Sequence, residues 1–172
     1  MKMKPQVAII MGSDSDLEVM SQACETLDGF GISYQTTIVS AHRTPNRLVS
    51  FAKSAKSEGF KVVIAGAGGA AHLPGMVASI TTLPVIGVPI KTKSMDGIDS
   101  LLSITQMPPG VPVATVSVNG AKNAAILAAQ IIAVENTKIA QKIQKYKKSM
   151  EEEVLKKATK LEKSGYKKYL KK

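Results

Sequence analysis

The sequence predicts an α/β protein, a three-layer αβα sandwich on a five-stranded parallel sheet, and three observations lead there. Five apolar runs of strand length recur, at residues 7–11, 34–39, 61–65, 84–88 and 112–116. Segments with helical spacing of apolar residues separate the runs, and a return to a parallel neighbour requires such a crossover. The runs are continuous rather than alternating, as in strands covered by helices on both faces.

Taken in order, Leu17, Met20, Cys24 and Leu27 follow the first run at helical spacing, and Asp28-Gly29 closes that helix. Pro45, favoured in a helix's first turn, opens a second helix through Leu48, Val49, Phe51, Ala52 and Ala55. A third begins within residues 70–75 and a short fourth covers residues 99–105. Five strands joined this way suit the flavodoxin-like order 2-1-3-4-5. That order sets the loops after strands one, two and three side by side at the carboxyl edge, where open α/β sheets bind ligands. Residues 123–134, NAAILAAQIIAV, are apolar almost all round, and burial at a subunit contact is expected. Ile139, Ile143, Tyr146 and Met150 continue at helical spacing among lysines, Ser164-Gly165 breaks the pattern, and mobile final residues are expected.

The expected division is an α/β catalytic domain over residues 1–135 and a lysine-rich helical extension over residues 136–172. The formal charge of +10 is unevenly placed: residues 137–172 hold 13 Lys against 4 Glu, whereas residues 1–136 hold 10 Lys+Arg against 9 Asp+Glu. The basicity belongs to the tail. Lacking interleaved aromatics or a recognition motif, that tail reads as a solvated helix, and no nucleic-acid partner is expected; a ligand-sensing or nucleic-acid-binding protein is the non-catalytic alternative. No stretch approaches the roughly 20 apolar residues that span a bilayer, and the run in MKMKPQVAIIMG is too short for a secretory signal. A cytoplasmic protein with no membrane partner is expected. Cys24 stands alone, which excludes an internal disulfide, and its apolar neighbours mark a core thiol.

Three loops could carry chemistry. Ser13, Asp14, Ser15 and Asp16 follow the first run and open a helix. They could cap it, or the serines could take a phosphate while Asp16 accepts hydrogen bonds from ribose hydroxyls. Ser40, Ala41, His42 and Arg43 follow the second run. An imidazole can accept and return a proton near neutrality, and a guanidinium offers forked donors to phosphate or carboxylate. An ordinary polar surface pair is the plainer reading. Gly66, Gly68 and Gly69, with Ala70, His72 and Leu73, follow the third run; their glycines permit close approach of backbone to ligand or tight packing of strand on helix. His72 could orient a substrate or cap its helix. Both histidines of the chain thus fall just after strands, at the ligand-binding edge.

Other chemistries fit less well. Gly66-x-Gly68-x-x-Ala71 matches a dinucleotide fingerprint, yet it follows the third strand rather than the first, and residues 85–91 carry no acid for the ribose. The sequence has no phosphate-binding G-x-x-x-x-G-K-[ST] and no G-x-S-x-G nucleophile motif. Two histidines thirty positions apart without a cysteine cluster do not give zinc-ligand spacing, so no metal is expected.

In order along the chain, GSDSD at residues 12–16, SAHRTP at 40–45 and AGAGGAAHLPGM at 65–76 resemble the signature segments of the 5-(carboxyamino)imidazole ribonucleotide mutase family, the PurE family. The likeness continues through PVIGVP at 84–89, DSLLSI at 99–104 and QMP at 106–108, covering about residues 6–135. It implies an ATP-independent, metal-free and cofactor-free mutase of purine biosynthesis, acting on a small ribonucleotide and assembled as a homo-octamer. It also implies roles: His42 as general acid/base, Arg43 near the phosphate, and Ser13, Asp16, Ser40 and Ala41 on the substrate. His72, Gly66, Gly68, Gly69, Ala70 and Leu73 would line the base and carboxylate pocket. A second branch of the family carboxylates the free ribonucleotide with carbon dioxide; SAHRTP and AAHLPGM look like the mutase branch. Leu17 stands where the family commonly has Trp, residues 117–123 look shorter than the family's connection, and the tail after about Glu151 lies outside the likeness.

Overall fold

The computed structural model describes residues 4–170. Its elements run β1 (Val7–Met11), α1 (Leu17–Phe30), β2 (Tyr34–Ile38), α2 (Pro45–Glu58), β3 (Val62–Gly68) and α3 (Leu73–Ala78). There follow β4 (Val85–Ile90), α4 (Ile98–Thr105), β5 (Ala114–Thr115), α5 (Ala121–Ala133) and α6 (Thr137–Tyr169). The chain divides into two compact units, Met1–Ile132 and Ala133–Lys172. All strands of the first unit pair in parallel in the expected order β2-β1-β3-β4-β5.

Alternate strand residues point to opposite faces, and the side chains they meet show helices on both. Ala8, Ile10, Val63 and Ala65 share one buried cluster with Leu48 and Ala52 of α2, Leu73 and Val77 of α3, and Ile104 of α4. On the other face, a Cβ added to Gly66 would lie 2.4 Å from Met20 Sδ, which places α1 there. Every residue of β1 and β4 is buried, as continuous apolar runs require. β2 departs from that expectation: Gln35, Thr36 and Ile38 are exposed, because β2 is an edge strand and its sequence YQTTI is half polar.

Several boundaries also differ from the sequence expectation, β5 among them, which is two residues long where the sequence predicts a strand over residues 112–116. α1 runs through Asp28-Gly29 and stops at Gly31, whose φ of 67° lets its N–H reach Asp28 O and Leu27 O. β3 extends to Gly68, so Gly66 is not in a loop. It lies opposite Met11 in the sheet, and its carbonyl accepts from Gly12 N–H at 3.3 Å. In α5 the stripe Ala121, Ala124, Ala125, Ala128, Ala129 and Ile132 is already buried within one chain, while Ile126, Leu127 and Ile131 are half-buried.

The second unit is dominated by α6. Asn136 caps it by accepting from Ile139 N–H at 3.2 Å, and Gly165 interrupts it with φ 69° and ψ 154°, where the sequence breaks the pattern. The mobility expected of the last residues concerns in part residues 171–172, which lie outside the described residues. No helix among the described residues is long and apolar enough to cross a membrane.

Candidate active site

Because β1 lies between β2 and β3, the loops leaving their carboxyl ends converge on a cleft of about 290 Å³. Of the residues singled out from sequence, Ser13, Asp16, Ser40, Ala41, His42, Arg43, Gly68, Ala70, His72 and Leu73 line it. Gly66 and Gly69 do not. The first sits in the sheet against Met20, and the second turns the chain at φ +68° with its N–H on Ser100 Oγ. A larger groove of about 630 Å³ runs along α6 among Leu155, Thr159 and several lysines, but it holds no acid–base pair.

The first loop is held by its own side chains. Ser13 caps a single 3-10 turn, Asp14–Asp16: its Oγ accepts from Ser15 N–H at 3.4 Å, and Asp16 Oδ2 accepts from Ser13 N–H at 3.2 Å. The loop caps its own turn while Ser13, Ser15 and Asp16 still line the cleft. Burial pushes the Asp16 carboxyl above its usual range, opposed by the N–H groups of Ser13 and Gly12, the Ser15 hydroxyl and the Arg43 charge. Asp14 is exposed, is not part of the cleft lining, and is held below the usual carboxylate range chiefly by the Ser13 hydroxyl. An anion in the cleft thus meets one lining carboxylate, not two.

The second loop is tied to the first through Arg43. Its Nη2 donates to Gly12 O at 2.8 Å, and its Nε and backbone N–H donate to the buried Ser40 Oγ at 3.3 and 3.2 Å. Thr44 closes the turn, its Oγ1 accepting from Ser40 N–H at 3.0 Å and donating to Ser40 O at 3.1 Å. The guanidinium is oriented before any ligand arrives, which reduces the entropy lost on binding.

The third loop brings the histidines together. His72 precedes α3 without capping it through its side chain. Its Nδ1 instead lies 2.8 Å from His42 Nε2, with the rings edge to face at 86° and centroids 4.9 Å apart. Such a contact needs an N–H on one ring and a lone pair on the other, so the pair shares a proton across it. His42 Nδ1 remains free of that contact. Ser15 and Gly12 also line the cleft, as does Thr92, which sequence reasoning missed although it follows β4 at the same edge. Its Oγ1 donates to the Asp99 carboxylate at 3.2 Å. Among the described residues no group of three or more His, Cys, Asp or Glu could hold a metal ion.

The AIR carboxylase family profile matches residues 6–153. The chain belongs to this family. A relative from Thermotoga maritima, N5-carboxyaminoimidazole ribonucleotide mutase, is 64% identical over 166 residues, covering 96% of this chain and 97% of its own. Phosphoribosylaminoimidazole carboxylase of Saccharomyces cerevisiae is 58% identical over 97% of this chain, which spans only 29% of that protein. The crystal structure of Treponema denticola PurE superposes with a TM-score of 0.84 at 33% identity, covering 91% of this chain and 98% of that one. The family profile ends at residue 153, close to where the motif likeness stops, while the alignment with the Thermotoga maritima relative covers 96% of this chain and so takes in most of the lysine-rich tail.

Proposed function

We propose that this family member is an N5-carboxyaminoimidazole ribonucleotide mutase of purine biosynthesis, converting the N-carboxylated ribonucleotide into its ring-carboxylated isomer. The observation that carries the chemistry is the His42–His72 contact in a cleft already furnished for an anion. The full-length likeness to mutases supplies the substrate.

In this reading Arg43 and Ser13 hold the phosphate and Asp16 accepts from the ribose hydroxyls. His42 gives a proton to the exocyclic nitrogen as its bond to the carboxyl carbon breaks, releasing carbon dioxide. The ring carbon then attacks that carbon dioxide, and His42 takes the displaced ring proton. One proton is given and one recovered, so the isomerisation is balanced without ATP. His72 orients the His42 ring through Nδ1, while the Gly68 and Ala70 backbone leaves room for the planar base and the carboxyl group. Keeping a gas beside its acceptor requires exclusion of water and a high effective concentration.

Both imidazoles are exposed in a single chain, which favours a site completed by bound substrate and a neighbouring copy. A cytoplasmic homo-octamer is the assembly proposed. The decisive experiment offers purified protein each substrate separately without ATP. Turnover of the carbamate is expected. Rapid carboxylation of the free ribonucleotide with bicarbonate, and none of the carbamate, would instead assign the carboxylase reaction.

A further inference from the structure

Ser100 is wholly buried, one of only three buried polar or charged residues among those described, and it lies outside the cleft. Its hydroxyl donates to Ile90 O at 2.6 Å and accepts from Gly69 N–H at 2.8 Å. The ladder around it explains why these two partners matter. Val63 N–H donates to Pro84 O, and the β3–β4 register runs unbroken from Val63 opposite Val85 to Gly68 opposite Ile90. Donors in a parallel ladder recur every second residue, so the series begun at Val63 and Pro84 leads to Gly69 N–H and Ile90 O. Those are the two groups that Ser100 joins. One hydroxyl stands inside the rung, satisfying both groups while holding the strands apart.

The separation occurs where the sheet gives way to the glycine loop. Ser103, one turn further along α4, donates to Asp99 O at 2.7 Å and reaches Gly69 O at 3.3 Å. Gly69, in its left-handed turn, is thus gripped at both its N–H and its carbonyl by one helix. Three residues later the loop delivers His72 to His42.

We propose that Ser100 is a positioning residue for the mutase reaction: by standing in the last β3–β4 rung it sets the course of the glycine loop and holds His72 against His42. The role rests on the mutase reading above. Without the hydroxyl, Gly69 N–H and Ile90 O can close on each other directly. The fold then keeps its hydrogen bonding, but the loop moves, and a displacement on the order of 1 Å in a reacting group costs up to about 100-fold in rate.

The test compares steady-state turnover of N5-carboxyaminoimidazole ribonucleotide by the wild type, Ser100→Ala, Ser100→Thr and Ser103→Ala, with circular dichroism and melting as folding controls. Ser100→Ala should stay folded with KM within about 3-fold, because the Ser13 and Arg43 anchors are untouched, while kcat falls about 10- to 100-fold. Ser100→Thr, which restores a hydroxyl, should recover most of that loss. A Ser100→Ala enzyme with wild-type kcat, or one impaired only in KM, overturns the role. Should Ser100→Ala not fold, Ser103→Ala carries the decision: kcat should fall about 3- to 10-fold at constant KM, and an unchanged kcat overturns the proposal. Wild-type protein that leaves the carbamate untouched would remove the mutase reading and this role together. Active wild type with an equally active Ser100→Ala removes only the role.

Discussion

A hydrogen bond between two imidazoles gives them unequal tasks. His42 carries a second ring nitrogen free of the contact, whereas His72 is anchored by the loop that leads into α3. Replacing His42 with Asn should leave a folded, substrate-binding protein whose kcat is lower by about 10²- to 10⁴-fold, the usual contribution of a general acid/base. Isothermal titration beside single-turnover kinetics checks both halves, and a fully active variant would remove His42 from proton transfer. Asp16 yields a prediction of opposite character. Burial raises its folded-state pKa above the ordinary value of 3.8, so between that value and the raised one the native state holds a proton that the unfolded chain has released. Its contribution to stability is present at low pH and is lost as pH rises from the ordinary value through the raised one. Asp16→Asn should therefore melt no lower than wild type near neutrality, with any advantage shrinking toward about pH 4, while substrate KM rises about 10-fold or more. Calorimetry at both pH values tests the sign; a variant much less stable at neutral pH would show that the ionised carboxylate's hydrogen bonds outweigh its burial.

At the scale of elements, the cleft depends on how closely α4 approaches the sheet. A Cβ on Gly87 would lie 2.5 Å from Ile104 Cγ2 and 3.0 Å from Val113 Cγ1, both on stiff β-branched side chains. Gly87→Ala should cost about 1 to 3 kcal/mol in urea unfolding, as overpacking does, and should lower kcat by shifting the helix that carries Ser100. Ile104→Leu in the same chain removes the offending Cγ2 and should return part of both losses; no recovery would place the strain elsewhere. Much of this layer can be read from sequence, because strand order follows from alternation and the chain's two histidines both follow strands. The rest depends on three-dimensional register. Gly66 and Gly68 look alike in a glycine-rich run, yet one faces Met20 inside the sheet and the other lines the cleft. Ser100 reads as an ordinary residue of a short helix until the rung it occupies is known. Thr92 sits at the same carboxyl edge as the three motif loops, but no histidine or glycine run marks it.

Over the whole molecule, net charge says little about the chemistry, while exposed apolar surface bears on the proposed assembly. The +9 of residues 137–172 falls outside the sequence segments that line the cleft, which run from Gly12 to Thr92, whereas the α/β unit leaves Met95, Ile98 and Leu102 about half exposed around α4, with Leu17 and Ile38 similarly bare near β2. Exposed apolar surface of that kind calls for a covering partner. In the proposed homo-octamer that cover comes from further copies, and the same copies can shut water out of a cleft whose histidines are open in one chain. Sedimentation at micromolar concentration should then give a species near eight times the 18.2 kDa chain mass. The paired substitution Ile98→Glu and Leu102→Lys, placed on the exposed side of α4, should shift it to smaller species. Catalysis should follow assembly: on dilution, wild-type specific activity should fall over the concentration range in which the large species dissociates. Monomers that sediment alone and keep full specific activity would mean that substrate by itself closes the cleft.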